Sequence, residues 1–323
     1  MPYDSLPSQM ANIRLGEVPR YTRRVLGMPY LRPEDFIFEV PRDEASRIRD
    51  IARHARGEGP APIIVLGVMP RSGTNFVRDL LALDPSVCAD PGRLYEFPLL
   101  HSASDNTAFT QRFLSYFPRN AEVVGRYDML ARQAGAWLRD LQREAGDCRI
   151  LLKCPHVQNL SLAPLIFPDC NIVICVRDGR DVIESTRRTF RSRRITRKSF
   201  SQLAHEWGLA TEAAYTAMET YSGITLARYE DLVGAPREAA EALVRDVGLD
   251  VRSFPFDQIE TLPVRGSSRS RRTNESRWQP EQKTADFKPV GRWSGWSRRQ
   301  LRSFDRVAGD TLRRAGYFEG AAG

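Results

Sequence analysis

The residues best suited to chemistry lie in one short loop, PRSGT at 70–74. Four apolar residues at 63–66 precede it and are typical of a strand buried in a parallel sheet. Apolar residues then recur at helical spacing over 76–81, so the pattern predicts a strand, a tight loop and a helix. A helix N-terminus presents backbone N–H groups and partial positive charge, and Arg71 adds a full charge. The stretch therefore predicts a phosphate or sulfate site, and an ordinary turn with a solvated arginine is the alternative.

This loop differs from the loop that holds nucleoside triphosphates. That loop reads G-x-x-x-x-G-K-[ST], with a lysine for the phosphates. Here five residues separate Gly67 from Gly73, and no lysine follows. Gly73 lets a ligand approach the backbone, and the hydroxyl groups of Ser72 and Thr74 add donors. The pattern disfavours a kinase or triphosphatase, which would need magnesium-dependent ATP turnover.

Strands and helices alternate along the rest of the chain. Further strands are predicted at 150–152, 171–176 and 224–227, and helices at 126–144, 199–221, 236–248 and 297–315. This alternation predicts a three-layer α/β fold with a mostly parallel central sheet flanked by helices. Residues 1–62 are interpreted as an N-terminal extension with a short helix at 43–56, and residues 63–323 as one domain.

Four side chains that could move a proton follow predicted strands or the first helix. Lys153 and His156 follow the strand at 150–152, while Asp90 and Glu96 lie in the loop after the first helix. Loops at the carboxyl ends of parallel strands surround the ligand crevice of such sheets. Each of these residues is a candidate general base or charge stabiliser, and each could equally be a solvated or structural residue.

A second strand end offers another anion site. Arg177 directly follows a predicted strand, and Ser185 lies in the helix after it. The two side chains can converge on one anion. Asp178, Arg180 and Asp181 between them are interpreted as turn, cap and ion-pair residues.

The positive charge is concentrated in two segments. The net charge of the chain is +8, yet 187–198 holds seven basic and no acidic residues, and 265–302 holds eleven basic and three acidic residues. Such surfaces suit anionic partners: nucleic acid, a nucleotide, an acidic substrate or a membrane surface. No nucleic-acid motif accompanies them, so we expect no nucleic-acid partner, and a polyanion-binding protein is the alternative.

Composition bounds the location and the cofactors. The 323 residues contain no apolar run of about 18 residues, and the first 20 lack the apolar core of a signal peptide. We therefore predict a cytoplasmic protein without a transmembrane segment. The five cysteines form no C-x-x-C pair, so no metal site and no disulfide framework is predicted, and Cys170 and Cys175 are interpreted as small buried hydrophobic residues. A homodimer is left open.

Four separated elements together resemble the sulfotransferases that use 3′-phosphoadenosine 5′-phosphosulfate (PAPS). The loop at 70–74 resembles that family's 5′-phosphosulfate loop. Arg177 and Ser185 match the arginine and serine that hold the 3′-phosphate. YEDL at 229–232 matches a structural tetrapeptide, and VGRW at 290–293 matches the C-terminal cofactor segment. The resemblance covers most of the chain.

The resemblance implies transfer of a sulfuryl group from PAPS to an acceptor hydroxyl without a metal. Arg71 and Lys153 would stabilise charge. Glu96 is the first choice for the base that takes the acceptor proton, His156 the second, and Asp90 stays open. The implied PAPS-binding residues are Arg71, Ser72, Gly73, Thr74, Asn75, Arg177, Ser185, Arg265, Ser267, Gly291 and Arg292.

The acceptor is less closely defined. The loop sequence at 67–74 and the sequence VRDGRD at 176–181 are closer to those of tyrosylprotein and carbohydrate sulfotransferases than to those of the cytosolic phenol type. The phenol type has a lysine at the position that Arg71 occupies here. The glutamate pair of tyrosylprotein enzymes is replaced here by DPG at 90–92. We predict a carbohydrate, glycolipid or small-metabolite acceptor, and a tyrosylprotein acceptor is the alternative.

Overall fold

The structure is a computed structural model that describes residues 18–189, 198–265, 279–283 and 287–317. The described residues belong to two compact units. One contains residues 33–176 and 213–262, and the other contains residues 18–32, 177–212 and the described part of 263–317. Ser267 and most of the basic segment at 187–198 lie outside the described residues.

The first unit contains a sheet of five strands. The strands are β1 (Ile63–Gly67), β2 (Val87–Ala89), β3 (Arg149–Cys154), β4 (Asn171–Val176) and β5 (Ile224–Arg228). The described α-helices of the whole chain are α1 (Val18–Val25), α2 (Arg42–Arg56), α3 (Thr74–Leu81), α4 (Ala103–Tyr116), α5 (Asp128–Ala145), α6 (Ala163–Ile166), α7 (Gly179–Thr189), α8 (Phe200–Thr220), α9 (Tyr229–Gly234), α10 (Pro236–Asp246) and α11 (Arg298–Arg314).

All strand pairs are parallel, in the order β2-β3-β1-β4-β5. This confirms the predicted α/β fold with a parallel sheet flanked by helices. The central strand β1 is buried along its whole length, as its continuous apolar sequence predicts. It pairs with β3 so that Val65 is opposite Lys153, and with β4 so that Gly67 is opposite Cys175. The loops that follow these strands therefore begin at one edge of the sheet.

Four of the five strands lie where the sequence predicts them. The elements that the sequence did not predict include β2, which has three residues, and the longer helix α4. Helix α4 lacks an apolar buried stripe, because its buried residues are Ala103, Thr107 and Thr110. Hydrophobic periodicity therefore gives little signal for it.

The predicted helix at 43–56 is present as α2 and packs on α5. Arg47 in α2 forms an ion pair with Asp128 at the start of α5, with 2.6 Å between Nη2 and Oδ2. Ile48 and Ala52 are buried on the same helix. The predicted division of the chain at residue 62 stays a prediction.

The five cysteines all lie within the described part of the chain. All five cysteines are free, and Cys170 and Cys175 are buried as predicted. Burial raises the pKa of Cys154 and of Cys170 to about 12 each, so both thiols are protonated at neutral pH. No helix in the described part of the chain is long and apolar enough to cross a membrane.

Candidate active site

The loop after β1 begins with a tight turn. Ser72 N–H donates to Met69 C=O at 3.2 Å, Pro70 is the second residue of the turn, and Arg71 is the third with φ of 84°. Those features are typical of a type II turn, whose third position favours glycine, so Arg71 holds an uncommon backbone conformation. Met69 N–H also donates to Ser72 Oγ at 3.2 Å. The backbone N–H of Ser72 is thus engaged within the loop, and its hydroxyl hydrogen is the group it can offer to a ligand.

Gly73 connects this turn to α3. Its φ is 102°, and a Cβ at this position would lie 2.4 Å from the Tyr229 ring. The ring of Tyr229 also packs edge-on against Phe76, with 5.9 Å between centroids. The tyrosine of the YEDL tetrapeptide therefore packs against the loop at Gly73 and against the helix that follows it. Thr74 and Asn75 open α3, where the first N–H groups of a helix have no intrahelical partner.

Lys153 lies at the end of β3 and is 2% exposed. Its Nζ is 3.4 Å from Glu96 Oε1 and 4.0 Å from the centroid of the Tyr95 ring. Phe97 N–H donates to Lys153 C=O at 2.8 Å, which fixes the loop that carries Glu96 beside the strand. Burial lowers the pKa of Lys153, and the Glu96 carboxylate partly offsets that effect. Two predicted site residues, one on a loop and one on a strand, are thus in contact.

The other two base candidates have different surroundings. Asp90 pairs with Arg78 of α3 in a partly buried ion pair. The His156 ring stacks on His101, with 4.2 Å between centroids. His101 Nδ1 lies 2.9 Å from Gln158 Oε1. Sequence spacing gave no indication of the Asp90 ion pair or of the histidine stack.

The second unit holds Arg177 and Ser185, both buried. The Arg177 guanidinium donates to Pro289 C=O and lies 3.8 Å from Asp181 Oδ2. Trp207 Nε1 donates to Arg177 C=O at 3.0 Å. These contacts hold the strand-end arginine in one position at the start of α7.

Asp181 connects α7 to the C-terminal VGRW segment. Its carboxylate accepts from the backbone N–H groups of Gly291 at 2.9 Å, Arg292 at 2.6 Å and Trp293 at 3.3 Å. Burial and the nearby Asp178 carboxylate raise the pKa of Asp181, and the Arg177 guanidinium and the N–H groups of Gly291 and Arg292 oppose the shift. From the sequence alone, Asp181 is interpreted only as a capping or ion-pair residue. No local pattern could have found partners 110 residues away.

A cation–π contact supports the same segment. The Arg180 guanidinium lies 3.7 Å from the centroid of the Trp293 ring and forms a buried ion pair with Asp178, 2.7 Å long. The expectation of an ion pair within this turn is therefore confirmed. Gly179 at the start of α7 leaves room for Trp207, whose ring would lie 2.3 Å from a Cβ there.

Two further positions complete the predicted set. Arg265 ends a described stretch, next to an antiparallel bridge between Val264 and Glu281. Ser267 lies outside the described residues. Among the residues that the structure describes, no group of three His, Cys, Asp or Glu side chains could hold a metal ion.

Residues 62–253, more than half of the chain, match the model of the Sulfotransferase family. This chain belongs to the sulfotransferase family. Members of this family use PAPS as the sulfuryl donor, and the chain is a PAPS-dependent sulfotransferase. The resemblance that the separated motifs indicated is confirmed.

This sulfotransferase is similar to a curated enzyme. Protein-tyrosine sulfotransferase 1 of Danio rerio is 24% identical over 266 residues, which are 79% of this chain and 72% of that protein.

Solved sulfotransferases are also similar, at lower identity. STF9 from Mycobacterium avium is 14% identical with a TM-score of 0.49, and the match covers 83% of this chain and 80% of that one. Mouse SULT7A1, solved in complex with PAP, is 13% identical with a TM-score of 0.45, covering 82% and 90%. Because both TM-scores are below 0.5, the fold is assigned from the parallel strand order of this sulfotransferase itself and not from these neighbours.

Proposed function

We propose that this sulfotransferase sulfates a hydroxyl group of a carbohydrate, a glycolipid or a small metabolite, with Glu96 as the base. The contact between buried Lys153 and half-buried Glu96 carries the assignment of the base. It combines a cation for the transferred group with a carboxylate for the acceptor proton.

The donor groups of the chain suit a nucleotide with phosphates at both the 5′ and 3′ positions. When bound, PAPS supplies the sulfuryl group and a phosphate that leaves with growing negative charge. Arg71 and the N-terminus of α3 would hold the 5′-phosphate, since both present positive charge and N–H donors. Arg177 and Ser185 would hold the 3′-phosphate.

The remaining roles follow from the charge each step develops. Lys153 would donate to the transferred group or to the bridging oxygen, where negative charge grows. Gly73, Thr74 and Asn75 would complete the loop around the 5′ end. Arg265, Ser267, Gly291 and Arg292 are proposed, as the resemblance implies, to contact the nucleotide.

Glu96 is favoured as the base over the other two candidates. Asp90 pairs with Arg78 of α3, and the His156 ring stacks on His101. Glu96, in contrast, pairs with Lys153, the cation proposed to contact the transferred group. The Glu96 side chain is 26% exposed, so an acceptor hydroxyl can reach its carboxylate.

Direct binding tests the cofactor assignment. Purified protein should bind adenosine 3′,5′-bisphosphate, measured by calorimetry, and both Arg71→Ala and Arg177→Ala should weaken that binding at least about 10-fold, since each removes a charged hydrogen bond. Arg188→Ala is the matched control, because Arg188 is an exposed arginine on α7 that pairs with Glu184. Unchanged affinity in both test variants, or magnesium-dependent turnover of ATP, would contradict the assignment.

Labelled donor tests the acceptor. The protein should transfer sulfur label from PAPS to a hydroxyl compound in a panel of oligosaccharides, glycolipids and small alcohols. An acidic tyrosine peptide belongs in the same panel, because the similar enzyme of Danio rerio is named a protein-tyrosine sulfotransferase. Label on the peptide alone would replace the proposed acceptor with tyrosylprotein. The cytoplasmic location stays a prediction.

A further inference from the structure

Tyr95 contacts two residues of the candidate active site, although the sequence did not predict it as a site residue. Its ring centroid lies 4.0 Å from Lys153 Nζ. Its hydroxyl donates to Asn75 Oδ1 at 3.4 Å. Asn75 is the second residue of α3, and Lys153 lies at the end of β3. One side chain therefore connects the end of this strand to the N-terminal turn of this helix.

The surroundings of Lys153 give its charge few partners. The residue is 2% exposed, so water does little to stabilise the ammonium. Within the described part of the chain, Glu96 Oε1 is the hydrogen-bond acceptor for Lys153 Nζ, at 3.4 Å. That distance is long, because hydrogen bonds between an ammonium and a carboxylate are typically about 2.8 Å. The negative face of the Tyr95 ring is thus a second source of stabilisation for the charge.

A ring suits this position better than a second carboxylate would. A carboxylate would stabilise the ammonium, but it would also repel the phosphates and the sulfuryl group of PAPS. It would in addition compete with those groups for the N–H donors of Lys153. An aromatic ring has no net charge and is a weak acceptor. It therefore favours the charged lysine and leaves Nζ able to donate to a ligand.

We propose that Tyr95 is a positioning residue for sulfuryl transfer, whose ring keeps Lys153 charged and whose hydroxyl fixes that ring to α3. This role rests on the proposed function, in which Lys153 donates to the transferred group. Asn75 and the loop before it would hold the 5′ end of PAPS. The hydroxyl of Tyr95 then sets the position of Lys153 Nζ relative to that end. Tyr95 acts through these two residues and not on a reacting atom.

Several groups act on the charge of Lys153. Burial lowers its pKa, while the carboxylates of Glu96 and Asp90 oppose that shift, as does Cys154 once its thiol ionises at high pH. The Tyr95 ring also favours the charged form. Leucine at position 95 would keep the site apolar without a negative face. The pKa of Lys153 should then fall further, by about one unit.

NMR of the ligand-free protein tests the role of the ring. The chain contains four lysines, so labelling lysine at ¹³Cε gives four signals, and the signal that is absent from Lys153→Met belongs to Lys153. Its titration midpoint should fall by about one pH unit in Tyr95→Leu and should stay within about 0.3 unit in Tyr95→Phe, which keeps the ring. Tyr116→Leu is the matched control, because Tyr116 is an exposed tyrosine on α4, and it should leave the midpoint unchanged.

A fluorinated ring separates charge from shape. Trifluorophenylalanine at position 95 keeps the shape of phenylalanine but weakens the negative face of the ring. The Lys153 midpoint should therefore be lower with this residue than in Tyr95→Phe. This comparison remains decisive if Tyr95→Leu does not fold. Equal midpoints for the two rings, or an unchanged midpoint in a folded Tyr95→Leu, would overturn the proposal.

Steady-state kinetics with an acceptor from the labelled-donor panel test the role in transfer. At pH 8, Tyr95→Leu should lower kcat by about 10-fold, because the ammonium is less often charged and less well placed. Tyr95→Phe should keep kcat within about 3-fold and raise KM for PAPS about 3-fold, since it loses the hydrogen bond to Asn75. The alkaline limb of kcat should move to lower pH in Tyr95→Leu. Phenylalanine cannot ionise, so a limb that persists in Tyr95→Phe does not belong to the tyrosine hydroxyl.

The outcomes distinguish this role from the proposed function. If the wild type binds adenosine 3′,5′-bisphosphate and transfers label, but kcat and its alkaline limb are unchanged in Tyr95→Leu, the role of Tyr95 alone is overturned. Transfer that persists in Lys153→Met would contradict the role of the lysine and overturn that of Tyr95 with it. A wild type that binds no adenosine 3′,5′-bisphosphate would contradict the proposed function itself, and the role of Tyr95 in transfer would fall with it.

Discussion

Lys153 and Glu96 combine two opposing demands on charge. A buried ammonium is costly to maintain, yet sulfuryl transfer needs positive charge where the leaving oxygen becomes negative. Glu96 lowers that cost by lying 3.4 Å from Lys153 Nζ. A change to either residue is therefore expected to affect both the free energy of unfolding and the rate of sulfuryl transfer.

Glu96→Gln should lower kcat by about 10²- to 10⁴-fold, because the amide cannot accept the acceptor proton. The affinity for adenosine 3′,5′-bisphosphate should change little, since this product has no acceptor hydroxyl. Steady-state kinetics and calorimetry measure the two quantities. A greater loss of kcat in His156→Ala than in Glu96→Gln would transfer the role of base to the histidine.

Lys153→Met should abolish transfer and yet raise the free energy of unfolding by about 1 kcal/mol at pH 7. The pKa of Lys153 is lowered in the folded protein, because burial disfavours the charged form. At a pH below that pKa the buried ammonium therefore lowers the free energy of unfolding. The unfolded lysine loses its proton only near its ordinary value of 10.5, and wild-type stability rises with pH up to that point. The advantage of the methionine variant should thus shrink between pH 7 and pH 10, as urea unfolding can measure.

A second lysine provides the contrast for this experiment. Lys198 pairs at 2.7 Å with Glu206, whose side chain is 2% exposed. Lys198→Met leaves that carboxylate buried without its cation, so this variant should lose stability by about 3 kcal/mol. If Lys153→Met were equally destabilised, the cost assigned to its buried ammonium would be wrong.

At the scale of elements, the loop after β1 depends on its contact with Tyr229. Gly73→Ala should lower the free energy of unfolding by about 2 kcal/mol or more, because φ of 102° strains an alanine and its Cβ overlaps the tyrosine ring. Gly291→Ala is the control, since φ is 75° and no heavy atom lies within 4 Å of a Cβ there. Equal losses in the two variants, measured by urea unfolding, would show that the ring contact contributes nothing.

Helix α7 organises the C-terminal segment through one side chain. Asp181→Ala removes the acceptor for three backbone N–H groups, so amide hydrogen exchange at 291–293 should become faster. The affinity for adenosine 3′,5′-bisphosphate should fall by about 10-fold or more, while kcat at saturating PAPS should change much less. Asp310→Ala, at an exposed carboxylate on α11, is the control. Unchanged exchange at 291–293 would contradict a positioning role for Asp181.

At the scale of the whole molecule, ligand binding should stabilise the fold by mass action. Adenosine 3′,5′-bisphosphate at 100 times its dissociation constant adds about 2.7 kcal/mol, so the thermal midpoint should rise. Adenosine 5′-phosphate at the same concentration should raise it less, because this compound lacks the 3′-phosphate. A larger shift with ATP and magnesium would indicate a triphosphate site.

Much of the fold and part of the candidate site could be predicted from the sequence, for a physical reason. The parallel strands are buried on both faces and read as continuous apolar runs, and the loop residues at 70–75 are contiguous in the chain. The carboxylate of Asp181 and the Tyr229 ring act through contacts between distant segments, which no local pattern encodes. Helix α4 buries only an alanine and two threonines, so hydrophobic periodicity gave little signal for it.

The contacts of α7 also give the C-terminal segment its own optical reporter. Trp293 stacks under the Arg180 guanidinium, and Trp296 Nε1 donates to Glu184 at 3.0 Å. Indole emission depends on nearby charge and hydrogen bonding, so any change in the segment alters fluorescence at two positions. Trp207, in the same unit, is fully buried and also emits, so the comparison with a Trp293 variant is needed to isolate the segment. Titrating the protein with adenosine 3′,5′-bisphosphate while recording tryptophan emission, in the wild type and in Trp293→Phe, would therefore follow this segment in solution without an added dye.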